Sequence, residues 1–286
     1  MNTIQAIIIA IIEGITEFLP ISSTAHMKFA NPFLGIDDSP FVDLFEIMIQ
    51  LAAIASIVVI YYKRFFDFKH YSFYLKLIVA VIPALLFGAL LKKYIDAALN
   101  NLWVIAIVMI AGGVLLLFVD KLFKANEASI SNIKDSATNT NKDANENSNN
   151  DAGEISYQKS FIIGCFQVLS IIFPGLSRSA ATIVGGMSQK LSKKIALEFS
   201  FFLAVPTMMA ASAKSTLDVY KTNPEVFAAD NLITLFIGAV VAFIVALVSV
   251  QFFIKIVQKM GFAPFGWYRI VLGITILILL YTQYLN

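Results

Sequence analysis

The sequence predicts an all-α integral membrane protein, with six transmembrane helices plus two re-entrant helix-loop-helix regions in an inverted-topology repeat. Three observations predict it. Hydrophobic residues make up 58% of the 286 residues, charged ones only 14%, and mean hydropathy is +0.78, a balance found in chains that live in lipid. Six apolar runs are long enough to cross roughly 30 Å of hydrocarbon. Two further runs are broken midway by proline or glycine beside polar side chains.

In chain order, the first broken run covers 3–30 and is interrupted by Pro20 and Ser22-Ser23; spans follow near 41–61, 71–92 and 101–123. The second broken run covers 159–188, interrupted by Pro174-Gly175, and spans near 193–213, 231–254 and 265–285 complete the chain. Proline removes a backbone donor and glycine loosens a helix, so each broken run is expected to enter the membrane, turn and leave on the same side. Irregular backbone at that depth needs protein or a water-filled cavity to satisfy its polar groups, which points both breaks at an internal cavity. A shift of 154 residues sets Glu13 on Gln167, Pro20 on Pro174, Ser23 on Ser177 and Thr24 on Arg178. Three crossings per half is an odd number, so the second half should run upside down relative to the first, with a site near the midplane between the broken helices. The first repeat is then 1–124 and the second 157–286. Between them, 125–156 is rich in Asn, Ser, Asp and Glu and nearly free of aromatics, and reads as a disordered cytoplasmic insert.

Lysine and arginine set the orientation. Lys63, Arg64, Lys69, Lys76, Lys121, Lys124, Lys134, Lys142, Lys159, Lys190, Lys193, Lys194, Lys255 and Lys259 fall on one face; Lys28, Lys92, Lys93, Lys214 and Lys221 fall on the other. The first face is therefore cytoplasmic, and both termini and the first broken run belong to the outer side. The net charge of +2 carries no nucleic-acid footprint. The single cysteine, Cys165, excludes an intramolecular disulfide. The N-terminal apolar run lacks a basic lead-in and continues into Glu13, so no cleavable signal is expected.

Ionisable side chains inside apolar stretches cost roughly 2.5–3.5 kcal/mol each on insertion scales and so mark working sites. Glu13 and Glu17 are four residues apart and share one helix face. Two close carboxylates in a low dielectric need a proton or a cation between them, and Mg²⁺ or Ca²⁺ is the natural oxygen-seeking occupant. The bland alternative is a solvated helix end. Ser22, Ser23 and Thr24 follow the first break; one is an ordinary N-cap, yet a helix N-terminus also binds anions and a serine there becomes a nucleophile if a base is near. His26 is the local candidate for that base, whereas His70, beside Lys69, reads as solvated. The second break repeats the logic with Ser177, Arg178, Ser179 and Thr182. These spans place Arg178 alone among the arginines far from a membrane boundary, and its planar fork suits phosphate oxygens. The alternative is an internal salt bridge to Glu13, Glu17 or Glu198. Glu46, Gln50 and Glu198 are expected to support the broken runs through interhelical hydrogen bonds.

Taken together, the segments Glu13-Gly-Ile-Thr-Glu17-Phe-Leu-Pro-Ile-Ser-Ser-Thr-Ala-His26, Pro174-Gly-Leu-Ser-Arg-Ser-Ala-Ala-Thr182, Glu198-Phe-Ser-Phe-Phe-Leu-Ala-Val-Pro206 and Trp267-Tyr-Arg-Ile-Val-Leu-Gly273 closely resemble the undecaprenyl-pyrophosphate phosphatase family of bacitracin-resistance type. Ala25 and Ala180 stand where many relatives carry glycine, and the 125–156 insert departs from the usual short connection. The resemblance implies hydrolysis of undecaprenyl diphosphate to undecaprenyl phosphate and inorganic phosphate, which recycles the carrier of peptidoglycan synthesis. It also implies a divalent cation, residence in the bacterial cytoplasmic membrane and a site open to the periplasm. By carry-over, Glu13, Glu17, Ser23, His26, Ser177, Arg178 and Thr182 form that site. Glu13 and Glu17 are expected to hold the metal, with Ser22, Thr24, Ser177, Ser179 and Thr182 binding phosphate. Ser23 is the chosen nucleophile, Glu17 or His26 its base, Arg178 the charge stabiliser, and activated water the rival nucleophile. A polyprenyl-phosphate flippase is the competing function, since inverted repeats with broken helices also build transporters. The oligomeric state stays open, a homodimer among the options.

Overall fold

The computed structural model describes residues 1–67, 69, 71–124 and 155–284, so His70 and almost all of the expected 125–156 insert lie outside the described residues. All regular structure among the described residues is helical. The helices are α1 (Thr3–Thr16), α2 (Ser23–Phe33), α3 (Pro40–Ile60), the short α4 (Tyr62–Phe65), α5 (Tyr71–Leu90), α6 (Lys92–Leu99), α7 (Leu102–Leu122), α8 (Tyr157–Ile172), α9 (Arg178–Ser188), α10 (Lys193–Thr222), α11 (Ala229–Met260) and α12 (Ala263–Tyr281). Six of these, α3, α5, α7, α10, α11 and α12, are long and apolar enough to cross a membrane. This is a multi-pass membrane protein.

Starts of helices follow local side-chain chemistry. Asn2 and Gln5 form a reciprocal capping box at α1, and Ser39, Asn101, Ser156 and Ser192 cap α3, α7, α8 and α10. Two helices outrun the expected spans. α10 continues to Thr222 and α11 to Met260, because hydropathy registers only the lipid-embedded part of a helix. Past it, polar residues sustain the helix in water, as in the Lys214–Asp218 pair at 2.9 Å, one turn apart.

Each broken run is a helix, an irregular segment and a second helix. α1 packs against α2, and α8 against α9. The first helix of each pair lies against the second long helix of the opposite half, α1 on α11 and α8 on α5. Likewise α3 packs on α11 and α10 on α5, while α3 meets α10 and α7 meets α12. Exchanging the halves swaps α1–α11 with α8–α5 and α3–α11 with α10–α5, and returns α3–α10 and α7–α12 to themselves. α7 and α12 approach closely at Gly113 and Gly266, where a Cβ on Gly113 would lie 2.8 Å from the Gly266 carbonyl oxygen.

The two breaks differ by one residue. α1 and α8 start 154 residues apart, whereas α2 and α9 start 155 apart, with 17–22 between the first pair and 173–177 between the second. Past the breaks the match is therefore Ser22 with Ser177 and Ser23 with Arg178, not Ser23 with Ser177. Backbone geometry marks the correspondence: Ser22 at φ 70° and Ser177 at φ 78° are both N-caps in a left-handed conformation rare for serine. Their hydroxyls accept from the Ala25 and Ala180 amides at 3.4 and 3.3 Å.

Candidate functional site

The two breaks meet inside the bundle, and Arg269 of α12 joins them. This arginine is fully buried. Its guanidinium donates to the carbonyls of Pro20 (3.0 Å), Leu176 (2.8 Å), Gly175 (2.8 Å) and, on α7, Met109 (3.1 Å). Broken helices leave carbonyls that no water reaches, and one planar fork with five donors satisfies several at once. Gly112 makes room, since a Cβ there would overlap the guanidinium. Arg178 is thus not the only arginine at the breaks. Ser179 ties the breaks a second time, its hydroxyl donating to the Leu19 carbonyl at 3.1 Å and lying 3.0 Å from the Ser177 hydroxyl.

Glu17, at the C-terminal cap of α1, stands between the halves. One carboxylate oxygen accepts from Arg178 Nη2 at 2.8 Å, and the other from the Ser23 hydroxyl at 2.5 Å. The carboxylate and the serine are both buried, and the Arg178 side chain is only 15% exposed. Of the salt bridges open to Arg178 in sequence, the structure forms the one to Glu17. Glu198 lies elsewhere, 3.9 Å from Arg64.

Glu13, one turn before Glu17, is fully buried, and neither of its carboxylate oxygens makes a well-formed hydrogen bond. Two acids face one arginine here, which leaves a carboxylate to be balanced by a proton or a cation. A hard divalent ion held through one or two carboxylates, with phosphate oxygens completing its shell, fits this donor set. Among the described residues no group of three or more His, Cys, Asp or Glu side chains converges, so protein carboxylates alone do not make a closed cage.

The remaining candidates take other places. His26 turns from Ser23 toward α12: its Nδ1 lies 2.7 Å from the Ser22 carbonyl oxygen and its Nε2 lies 2.8 Å from the Tyr268 hydroxyl. Thr24 accepts from Gln50 of α3 at 3.5 Å. Thr182 does share a helix face with Arg178, but its hydroxyl bonds back to the Arg178 and Ser179 carbonyls and meets Ser200 of α10 at 2.6 Å. Glu46 supports α2, accepting from Asn31 at 2.8 Å and pairing with Lys28 at 3.3 Å. Lys28, expected among the outer-face charges, is buried in that network. Tyr268 and Arg269 went unassigned in the sequence, present only within a matched motif.

The chain is similar to known proteins over nearly its whole length. A family model described as bacitracin resistance protein BacA matches residues 6–275. A protein of Flavobacterium johnsoniae named undecaprenyl-diphosphatase is 48% identical, over 98% of this chain and 96% of its own length. Proteins of the same name from Bdellovibrio bacteriovorus (45%; 99% and 97%) and Porphyromonas gingivalis (43%; 98% and 97%) match as completely. Both breaks, with Glu13, Glu17, Ser23, Arg178 and Arg269, fall inside the matched region, and the chain belongs to the bacitracin resistance protein BacA family.

Proposed function

We propose that this chain is an undecaprenyl-diphosphatase of the bacterial cytoplasmic membrane, releasing inorganic phosphate from undecaprenyl diphosphate at a site open to the periplasm. The observation that carries the reaction is Glu17 bridging Ser23 and Arg178, at 2.5 and 2.8 Å. A carboxylate that accepts a hydrogen bond from the serine hydroxyl supports a general-base role for Glu17, and the arginine beside it supports a role for Arg178 in stabilising the charge that develops on a phosphoryl group. Ser23 Oγ attacks the terminal phosphorus, its proton passes to Glu17, and the bond from phosphorus to the bridging oxygen breaks to leave undecaprenyl phosphate. Glu17 releases that proton to solvent. Water then attacks the phosphoserine phosphorus while Glu17 takes the water's proton; the bond from phosphorus to Ser23 Oγ breaks, and Glu17 returns the proton to Oγ as inorganic phosphate leaves. His26, in its charged form, protonates the leaving oxygen. Ser22, Thr24, Ser177, Ser179 and Thr182 shape the phosphate pocket, chiefly by fixing the two helix starts and their free amides. Glu13 and Glu17 would hold a Mg²⁺ or Ca²⁺ ion, which supplies polarisation of phosphoryl oxygens when bound.

The division into an outer-facing first repeat and an inverted second one belongs to the same proposal, supported by the exchangeable packing of the halves. A homodimer is compatible with the wide apolar exterior. The transport alternative finds no support in these relatives, which are named for hydrolysis.

The test is phosphate release by purified protein from a polyprenyl diphosphate with Mg²⁺ or Ca²⁺. Ser23→Ala and Glu17→Gln should each lower kcat at least about 10²-fold, and a chelator should abolish turnover until either ion is restored. No release by wild type would overturn the proposal; a trapped phosphoenzyme mapping to His26 would move the nucleophile.

A further inference from the structure

His26 has both ring nitrogens engaged, and the partners differ in kind. The Ser22 carbonyl can only accept, so Nδ1 carries the proton that donates to it across 2.7 Å. The same carbonyl also accepts from the His26 backbone amide at 3.2 Å, and it is aimed there by the left-handed conformation of Ser22. In the neutral ring this leaves Nε2 with a lone pair, and the Tyr268 hydroxyl, 2.8 Å away, donates to it. The two rings lie parallel within 2°, centroids 5.6 Å apart. Tyr268 comes from α12, one residue before the arginine that pins both breaks, so the same turn of helix that fixes Pro20 and Gly175 also fixes the imidazole.

We infer that Tyr268 is a positioning residue for the reaction: its hydroxyl, bonded to Nε2, fixes the direction of the His26 ring, whose Nδ1–H tautomer the Ser22 carbonyl sets. A histidine works in acid–base catalysis from a held geometry, and a group that holds its ring contributes to kcat without touching substrate. Apart from the paired histidine, no hydrogen bond to the Tyr268 hydroxyl is formed among the described residues. The inference rests on the phosphatase reading above for its kinetic consequence, and on the geometry alone for the contact that holds the ring.

Tyr268→Phe separates positioning from packing, because it keeps the ring and removes only the hydroxyl. kcat should fall on the order of 10-fold, part of the ~10²–10⁴ that acid–base catalysis supplies, with KM and thermal midpoint unchanged. In a His26→Ala background the same change should add nothing, since the two residues act through one atom. Wild-type kinetics in Tyr268→Phe, or an equal further loss in the His26→Ala background, would overturn the inference. The chain has two histidines, so ¹⁵N spectra of a His70→Gln protein report His26 alone. The neutral ring should be Nδ1–H in both proteins, with the Nε2 resonance shifted in Tyr268→Phe by loss of the hydroxyl's hydrogen bond; an unchanged Nε2 resonance would also refute it. If the protein releases no phosphate yet shows the expected Nε2 shift, the phosphatase reading has failed and the positioning contact has not.

Discussion

At the residue scale, the site is built from groups that satisfy one another across a broken backbone. Glu17 is legible in sequence because a carboxylate inside an apolar run is costly, and Arg178 for the same reason. Arg269 is not legible in that way. It sits seven residues into α12, close to the lysine-rich end of an apolar span, and its partners are main-chain carbonyls, which every residue carries. Arg269→Lys keeps the charge but loses the fork, leaving several of those four carbonyls unpaired. At about 1–3 kcal/mol for a buried polar group left unsatisfied, it should lower the thermal unfolding midpoint and depress kcat together. Unfolding in detergent followed alongside phosphate release checks this. Retained stability with retained turnover would show that the breaks hold without the arginine.

At the scale of elements, α2 must be anchored as well as started. Its N-terminus is set by Ser22, but its far half is held to α3 by Lys28 and Asn31 on Glu46. Lys28 and Glu46 are both buried, while Asp38 and Asp43, also within 3.7 Å of the ammonium, are exposed and contribute little. Lys28→Met strands the Glu46 carboxylate and should cost about 3–5 kcal/mol of stability. The double change Lys28→Met with Glu46→Gln should recover much of it, because an amide tolerates burial where an unpaired charge does not. Thermal unfolding of the two variants is the measurement. This pairing was hidden in sequence: Lys28 near a predicted membrane boundary resembles any interfacial lysine, and only the return of α3 beside α2 brings Glu46 to it.

At the scale of the whole molecule, the contacts of the six long helices with one another recur with the halves exchanged, and the breaks are drawn together between them. The charge distribution sets the expected orientation, with Lys255 and Lys259 inside the cell and Lys214 and Lys221 outside. In a Cys165→Ser background, a membrane-impermeant thiol reagent applied to spheroplasts should label Lys221→Cys and spare Lys259→Cys until the membrane is opened. The reverse pattern would turn the molecule over and put the candidate site on the cytoplasmic side.

What the sequence determined by itself is whatever depends on composition along the chain: six apolar helices, two interruptions, and the acids, serines and arginine that do not belong in lipid. Hydropathy, proline and glycine act locally, so these features survive being read one residue at a time. The register past the breaks, the choice of Glu17 as partner of both Ser23 and Arg178, the turn of His26 toward Tyr268 and the role of Arg269 were decided only by tertiary structure. Each of them joins residues far apart in sequence or depends on the length of a break, and a hydrogen bond between such groups has no signature until packing places donor and acceptor within 3 Å of each other.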